Sequence, residues 1–110
     1  MLRARLPLHL TTALKSEPNS ISPATRIVAS PRHASCELEG EAVILALDTG
    51  TYYGLDGVGR LVWESVQTPL SIEAVCDVVM KQYDVDASRC QNDVIKLAAH
   101  LMEAGLLELA

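Results

Sequence analysis

The stretch Leu45–Glu64, LALDTGTYYGLDGVGRLVWE, decides how this chain folds. It closes an apolar run, turns at Asp48-Thr49-Gly50, passes through Thr51-Tyr52-Tyr53-Gly54-Leu55, and then changes period. Gly50 takes positive φ at no steric cost and Asp48 can bond its own backbone, so these residues predict a tight turn. The segment Thr51–Leu55, rich in β-branched and aromatic side chains, predicts a strand. From Asp56 onward Val58, Leu61, Val62 and Val66 recur at helical spacing, with Asp56 as N-cap. Gly57 and Gly59 allow a tight strand-to-helix junction. With Gly54 they read G-x-x-G-x-G, which has the wrong order and setting for a dinucleotide fingerprint.

Toward the N-terminus, residues 42–47 are apolar on both parities, as a central strand covered on much of both faces would be. Glu39-Gly40 predicts another turn. Ser35-Cys36-Glu37-Leu38 alternates, as a half-buried strand does. Three strands joined by two tight turns make an antiparallel meander whose first and third strands lie at its edges.

Toward the C-terminus, Gln67-Thr68-Pro69 ends the first helix. Ser71 caps a second, with Ile72, Val75 and Val79 as its apolar stripe. Tyr83-Asp84-Val85 leads to Asp86, the cap of a third and longest helix over about residues 87–104. Gly105 supplies a left-handed stop. Leu106-Leu107 then return to the core as a short strand or turn. On the third helix Cys90, Val94, Leu97 and Leu101 form one stripe, and Ile95, Ala98, Ala99 and Met102 widen it. One stripe holds a helix on a small core. The surplus is either buried or faces an open groove. The order of elements predicts an α+β, winged-helix-like fold: a three-stranded antiparallel meander followed by three helices.

Residues 1–32 hold four of the five prolines, with Asn and Ser between them. That composition predicts a disordered or extended arm, with at most one short strand near Arg26–Ala29. The folded unit is expected over residues 33–110. The start, MLRARLPLHLTTALKS, is interrupted by Pro7, His9 and Thr11-Thr12 and is followed by no A-x-A cleavage site, so it reads as an arm rather than a secretion signal.

Composition narrows the function. One hundred and ten residues suit one domain, and an apolar fraction of 49% with only four aromatics gives a modest core that a partner would help. Residues 1–39 carry five Lys/Arg and three Asp/Glu, net +2; residues 40–110 carry four and eleven, net −7. An acidic body repels phosphate backbones, which argues against nucleic acid. Cys36, Cys76 and Cys90 are odd in number and lack C-x-x-C spacing, so reduced thiols in a cytoplasmic protein are expected rather than a disulfide framework. His9, His33 and His100 pair with nothing at ligand spacing, so neither a metal nor another cofactor is expected. No apolar run approaches the length that spans a bilayer. No hydrolase, zincin, P-loop or EF-hand pattern occurs. The third helix carries Arg89 and Lys96 against Asp93 and Glu103, with Asp86 at its start. DNA recognition, the common use of a winged helix, is therefore the weaker alternative.

Taken in order, GEAVILALDTGTYYGLDGVGRLVWE, then LSIEAV and QYDVDA, then DVIKLAAHLMEAGLLE resemble the PqqD family. The resemblance covers residues 40–110. Its specific parts are the D-T-G-x-Y-Y-G-L hairpin, the G-x-x-x-W helix, Y-D-V-D, and a last helix ending G-L-L. It implies a non-catalytic recognition element for ribosomally made, modified peptides. Such an element binds the leader segment of a precursor and presents it to a leader peptidase, a cyclase or a radical-SAM enzyme. Free-standing members resembling this chain occur in lasso-peptide pathways. In the family the leader adds to the third strand and packs against the third helix. Carried over, the docking edge is Thr51, Tyr52, Tyr53, Gly54 and Leu55, and the facing wall is drawn from Cys90, Asp93, Val94, Leu97 and Leu101.

Physical chemistry favours the same edge. An open edge presents N–H and C=O groups that an extended peptide can satisfy. Tyr52 and Tyr53 point to opposite faces, so one joins the core while the other can meet a ligand; the sequence does not say which.

Overall fold

The computed structural model describes residues 21–110. They form β1 (Arg26–Ala29), β2 (His33–Leu38), β3 (Glu41–Ala46), β4 (Thr51–Leu55), α1 (Gly57–Ser65), β5 (Leu70–Ser71), α2 (Ile72–Gln82), α3 (Ala87–Glu103) and β6 (Leu107–Leu109). The meander is β2-β3-β4, antiparallel, with β3 in the centre. Three helices follow it, so the α+β, winged-helix-like order read from the sequence is present.

Local chemistry sets the boundaries. Glu39 and Gly40 both take positive φ, 53° and 81°. They form a two-residue loop that places Leu38 opposite Glu41 and fixes the register of the first hairpin. Gly50, at φ 71°, closes the second hairpin, and its N–H bonds Ala46 O at 2.8 Å. The side-chain bond expected of Asp48 within its own turn is replaced by another. The Asp48 carboxylate accepts from Arg32 Nε at 2.8 and 2.9 Å, and Thr49 Oγ1 takes the turn's bond from Thr51 N–H at 3.3 Å. Arg32 lies just before β2, so this pair ties the start of the meander to its β3–β4 turn.

The helix signals hold. Ser71 Oγ accepts from Ala74 N–H at 3.1 Å, and Asp86 Oδ1 accepts from Arg89 N–H at 2.8 Å. Asp56 occupies the N-cap of α1 but makes no side-chain capping bond. Past α3, the Leu106 N–H reaches back to Leu101 O at 2.8 Å around Gly105, whose φ is 78°.

β1 is the short strand expected near Arg26–Ala29 and β6 the short strand expected after Gly105, but their pairing with β5 into a second sheet, β5-β1-β6, departs from expectation. Ile27 pairs with Leu70 on one side and Leu109 on the other and is fully buried. Residues 26–29 therefore belong to the folded body, which starts before residue 33, the expected boundary. Burying Ile27 contributes about 1.5–3 kcal/mol, which an arm left in solvent would forgo. Of the expected arm, residues 1–20 lie outside the described residues.

The core joins one face of each sheet to the helices: Ile27 and Leu107, Ile44 and Leu55, Val62 and Trp63, Ile72 and Val75, Val94 and Leu101. The Trp63 ring meets His33 edge-on at 4.9 Å, and His33 Nδ1 lies 2.6 Å from Ser30 O. Arg60 of α1 reaches both Glu37 on β2 and Glu64. These contacts fasten α1 across the inner face of the meander.

Candidate functional site

β4 pairs with β3 along its whole length, from Thr51↔Ala46 to Leu55↔Ala42, and among the described residues no strand pairs with its other edge. Alternate N–H and C=O groups along that edge point away from the sheet. The structure also separates the two tyrosines. Tyr53, opposite Ile44, packs on the core, whereas Tyr52 is 49% exposed on the opposite face. Gly54 is buried, and a Cβ there would sit 3.0 Å from Glu41 Oε2. The space left by its missing side chain is thus taken by Glu41 from the neighbouring strand.

Just past the end of β4 a groove of about 610 Å³ opens between α1, the end of α2 and the start of α3. Its apolar lining is Val58 of α1, Val79 of α2, Val85 of the linker, and Cys90 and Val94 of α3. Its polar lining is Asp84, Asp86, Arg89 and Asp93. Tyr83, the C-cap of α2, lines it as well, and its hydroxyl lies 4.0 Å from where a Cβ on Gly57 would be. Tyr83 therefore reaches the start of α1, two residues beyond β4. Gly57 holds φ 56° there, which turns the chain from strand into helix.

Of the wall expected on α3, Cys90, Asp93 and Val94 line the groove. Leu97 is half-buried against the core and Leu101 is fully buried, and neither lines the groove. The register explains this. One turn of α3 rises about 5.4 Å, so Leu97 and Leu101 lie one and two turns farther from the mouth and support it from behind. Sequence reading missed Val58, Val79, Tyr83, Asp84, Val85, Asp86 and Arg89 as lining residues. The signal was the Y-D-V-D linker, which alternates polar and apolar residues and folds back to the mouth.

Electrostatics at the mouth is acidic. Arg89 Nε stands 3.8 Å from Asp93 Oδ2, an exposed i,i+4 pair. The buried Cys76 thiol behind it is inert. Burial, then the neighbouring Cys90 thiol, pushes Cys76 up to about 12, so it stays protonated at neutral pH. His100, on the far part of α3, is buried with neither ring nitrogen hydrogen-bonded, and burial lowers its pKa. Elsewhere, the Arg32 guanidinium holds the Asp48 carboxyl below the usual range. Among the described residues no group of three or more His, Cys, Asp or Glu could hold a metal ion. None of the described helices is long and apolar enough to cross a membrane.

Among the described residues, then, β4 has an edge without a strand partner, and a groove between α1, α2 and α3 lies a few residues beyond its end. The pattern of the family "Coenzyme PQQ synthesis protein D (PqqD)" matches residues 41–107, and the chain belongs to this family. A solved structure described as TbiB1 in complex with the TbiA(beta) leader peptide is 32% identical, with a TM-score of 0.70, covering 74% of this chain and 94% of that one. A lasso peptide synthetase B1, complexed with the leader peptide, is 20% identical with a TM-score of 0.67, covering 74% and 96%. The PqqD truncation of Methylobacterium extorquens PqqCD is described as a stand-alone recognition element for ribosomally synthesised and post-translationally modified peptides. It is also 20% identical, with a TM-score of 0.68, covering 84% and 98%. At that identity these last two likenesses speak for the shared fold. Among curated proteins none matches this chain.

Proposed function

We propose that this chain is a non-catalytic adaptor that binds the leader segment of a ribosomally synthesised precursor peptide and presents it to a modifying enzyme. The observation that carries this reading is the unpaired edge of β4 leading into the groove. The leader adds antiparallel or parallel to Thr51–Leu55, with Tyr52 exposed beside it. Its side chains enter the groove against Cys90, Asp93 and Val94, while Leu97 and Leu101 back the wall. The resemblance to TbiB1, a protein seen with a leader peptide, supports the same reading.

Magnitudes require both parts of the site. Four backbone hydrogen bonds contribute about 2–6 kcal/mol net. Micromolar binding needs about 8 kcal/mol after association costs. Strand addition therefore falls short alone, and two or three apolar anchors at about 1.5–3 kcal/mol each make up the difference. The groove provides the apolar surface for them.

The modifying enzyme is a leader peptidase, a cyclase or a radical-SAM enzyme, and the setting is the cytoplasm, where three free cysteines stay reduced. DNA recognition is disfavoured by α3, whose Arg89 lies beside Asp93 and whose start carries Asp86. The test is titration of a labelled leader peptide, taken from a precursor gene near this one, into the protein. Saturable binding that survives moderate salt, with no shift of duplex DNA, is expected. DNA binding without leader binding would overturn the reading.

A further inference from the structure

The groove is apolar at its floor and acidic at its rim. Three aspartates, Asp84, Asp86 and Asp93, line it against one arginine, Arg89. Arg89 is matched to Asp93. Asp86 already uses one oxygen on the Arg89 N–H at the start of α3. Asp84 is exposed beside the mouth. The basic side chains of Lys81 and Lys96 do not line the groove. A ligand entering here thus meets a surplus of negative charge directly beside apolar surface. Tyr83 adds a ring that is 40% exposed at the same mouth, and a cation can lie over such a face.

We propose that the groove selects a bound segment in which an aliphatic or aromatic residue lies two positions from a lysine or arginine. The inference rests on the adaptor reading and names its ligand class. The spacing follows from strand addition: in an extended segment, residues two apart share a face and stand about 6.5–7 Å apart. The apolar side chain fills the floor between Val79, Cys90 and Val94. Its neighbour on the same face reaches the aspartate rim. An acidic residue in that position meets like charge at partial desolvation and is rejected.

The test uses a displayed library of short random peptides, selected on the immobilised full chain, and repeated on an Asp84→Asn/Asp93→Asn variant. Enrichment of apolar-x-Lys and apolar-x-Arg sequences on the natural chain, lost on the variant, is expected. For an enriched peptide resynthesised with a fluorescent label, Lys→Gln weakens binding to the natural chain about two- to fivefold, as exposed ion pairs allow. The same change leaves binding to the variant unaltered, and the difference shrinks as salt rises. Enrichment of apolar peptides with no basic bias would overturn the charge selection and leave the adaptor reading standing. Enrichment of nothing on either protein would overturn both.

Discussion

Among the described residues both outer strands of the meander, β2 and β4, have an edge with no strand partner, and the two edges differ in what lies beside them. Along β2 every residue after His33 is exposed, and no residue of β2 lines the groove described above. Its own Leu38 is exposed to water, Glu39 follows it in the turn, and its Glu37 pairs with Arg60. β4 presents the same kind of backbone edge, but it ends where α1, α2 and α3 open a groove. The lesson is that an unpaired edge supplies hydrogen bonds only, and any sheet margin offers those. In the proposed reading, apolar surface nearby is what turns one margin of the two into a site. Acidic side chains around β2 also discourage another strand from adding there.

Substitutions at matched positions put this contrast to the proof. Proline removes a donor and blocks a ladder. Tyr52→Pro and Tyr53→Pro between them remove an outward N–H whichever way the ladder alternates. At least one, still folded by circular dichroism, should lose more than tenfold in leader affinity, about 1.4 kcal/mol or more. Cys36→Pro on β2 should bind as the natural chain does. Equal losses on both strands would erase the distinction. Charging the groove comes next. Val58 is 36% exposed and lines the mouth, so Val58→Asp should leave the fold intact and weaken binding about tenfold by removing an apolar contact. Leu38→Asp, at a more exposed site at the end of β2, should change nothing in the same titration.

A smaller effect belongs to the helix behind the wall. Burial lowers the pKa of His100, so the unfolded chain binds more protons there once the pH drops below about 6.5. The contribution of neutral His100 is fully present above that pH and is lost as pH falls toward the depressed native value. Urea unfolding should show stability declining from pH 7.5 to 5.5, with a shallower decline in His100→Leu. An identical decline in both proteins would place the sensitivity elsewhere. The least effect should come from the β2 side. Glu39 holds φ 53°, a conformation that asparagine tolerates better. Glu39→Asn should raise stability by about 0.5 kcal/mol and leave leader affinity unchanged.

The legible parts of the fold are those written in short-range chemistry. Ser71, Asp86 and Gly105 mark helix ends through bonds spanning three to five residues, and Glu39-Gly40 sets a hairpin register locally. The second sheet was hidden because its strands have two to four residues and meet across the whole chain. Ile27 finds Leu70 and Leu109, and no periodicity of residues 26–29 announces such partners. The β4 edge was legible from strand order. The groove was legible only in part: α3 advertised Cys90 and Val94, but how far along the helix the lining extends depends on packing. Leu97 and Leu101 carry the same apolar signal yet turn into the core. Tyr83, Asp84 and Val85 joined the site through the path of a linker.

Amide hydrogen exchange, read residue by residue with and without saturating leader peptide, tests the central claim most directly. Slowed exchange at amides of Thr51–Leu55 and at the start of α3, with β2 unaltered, is the predicted pattern. Protection at His33–Leu38 instead, or tight binding that leaves β4 amides exchanging as before, would contradict it.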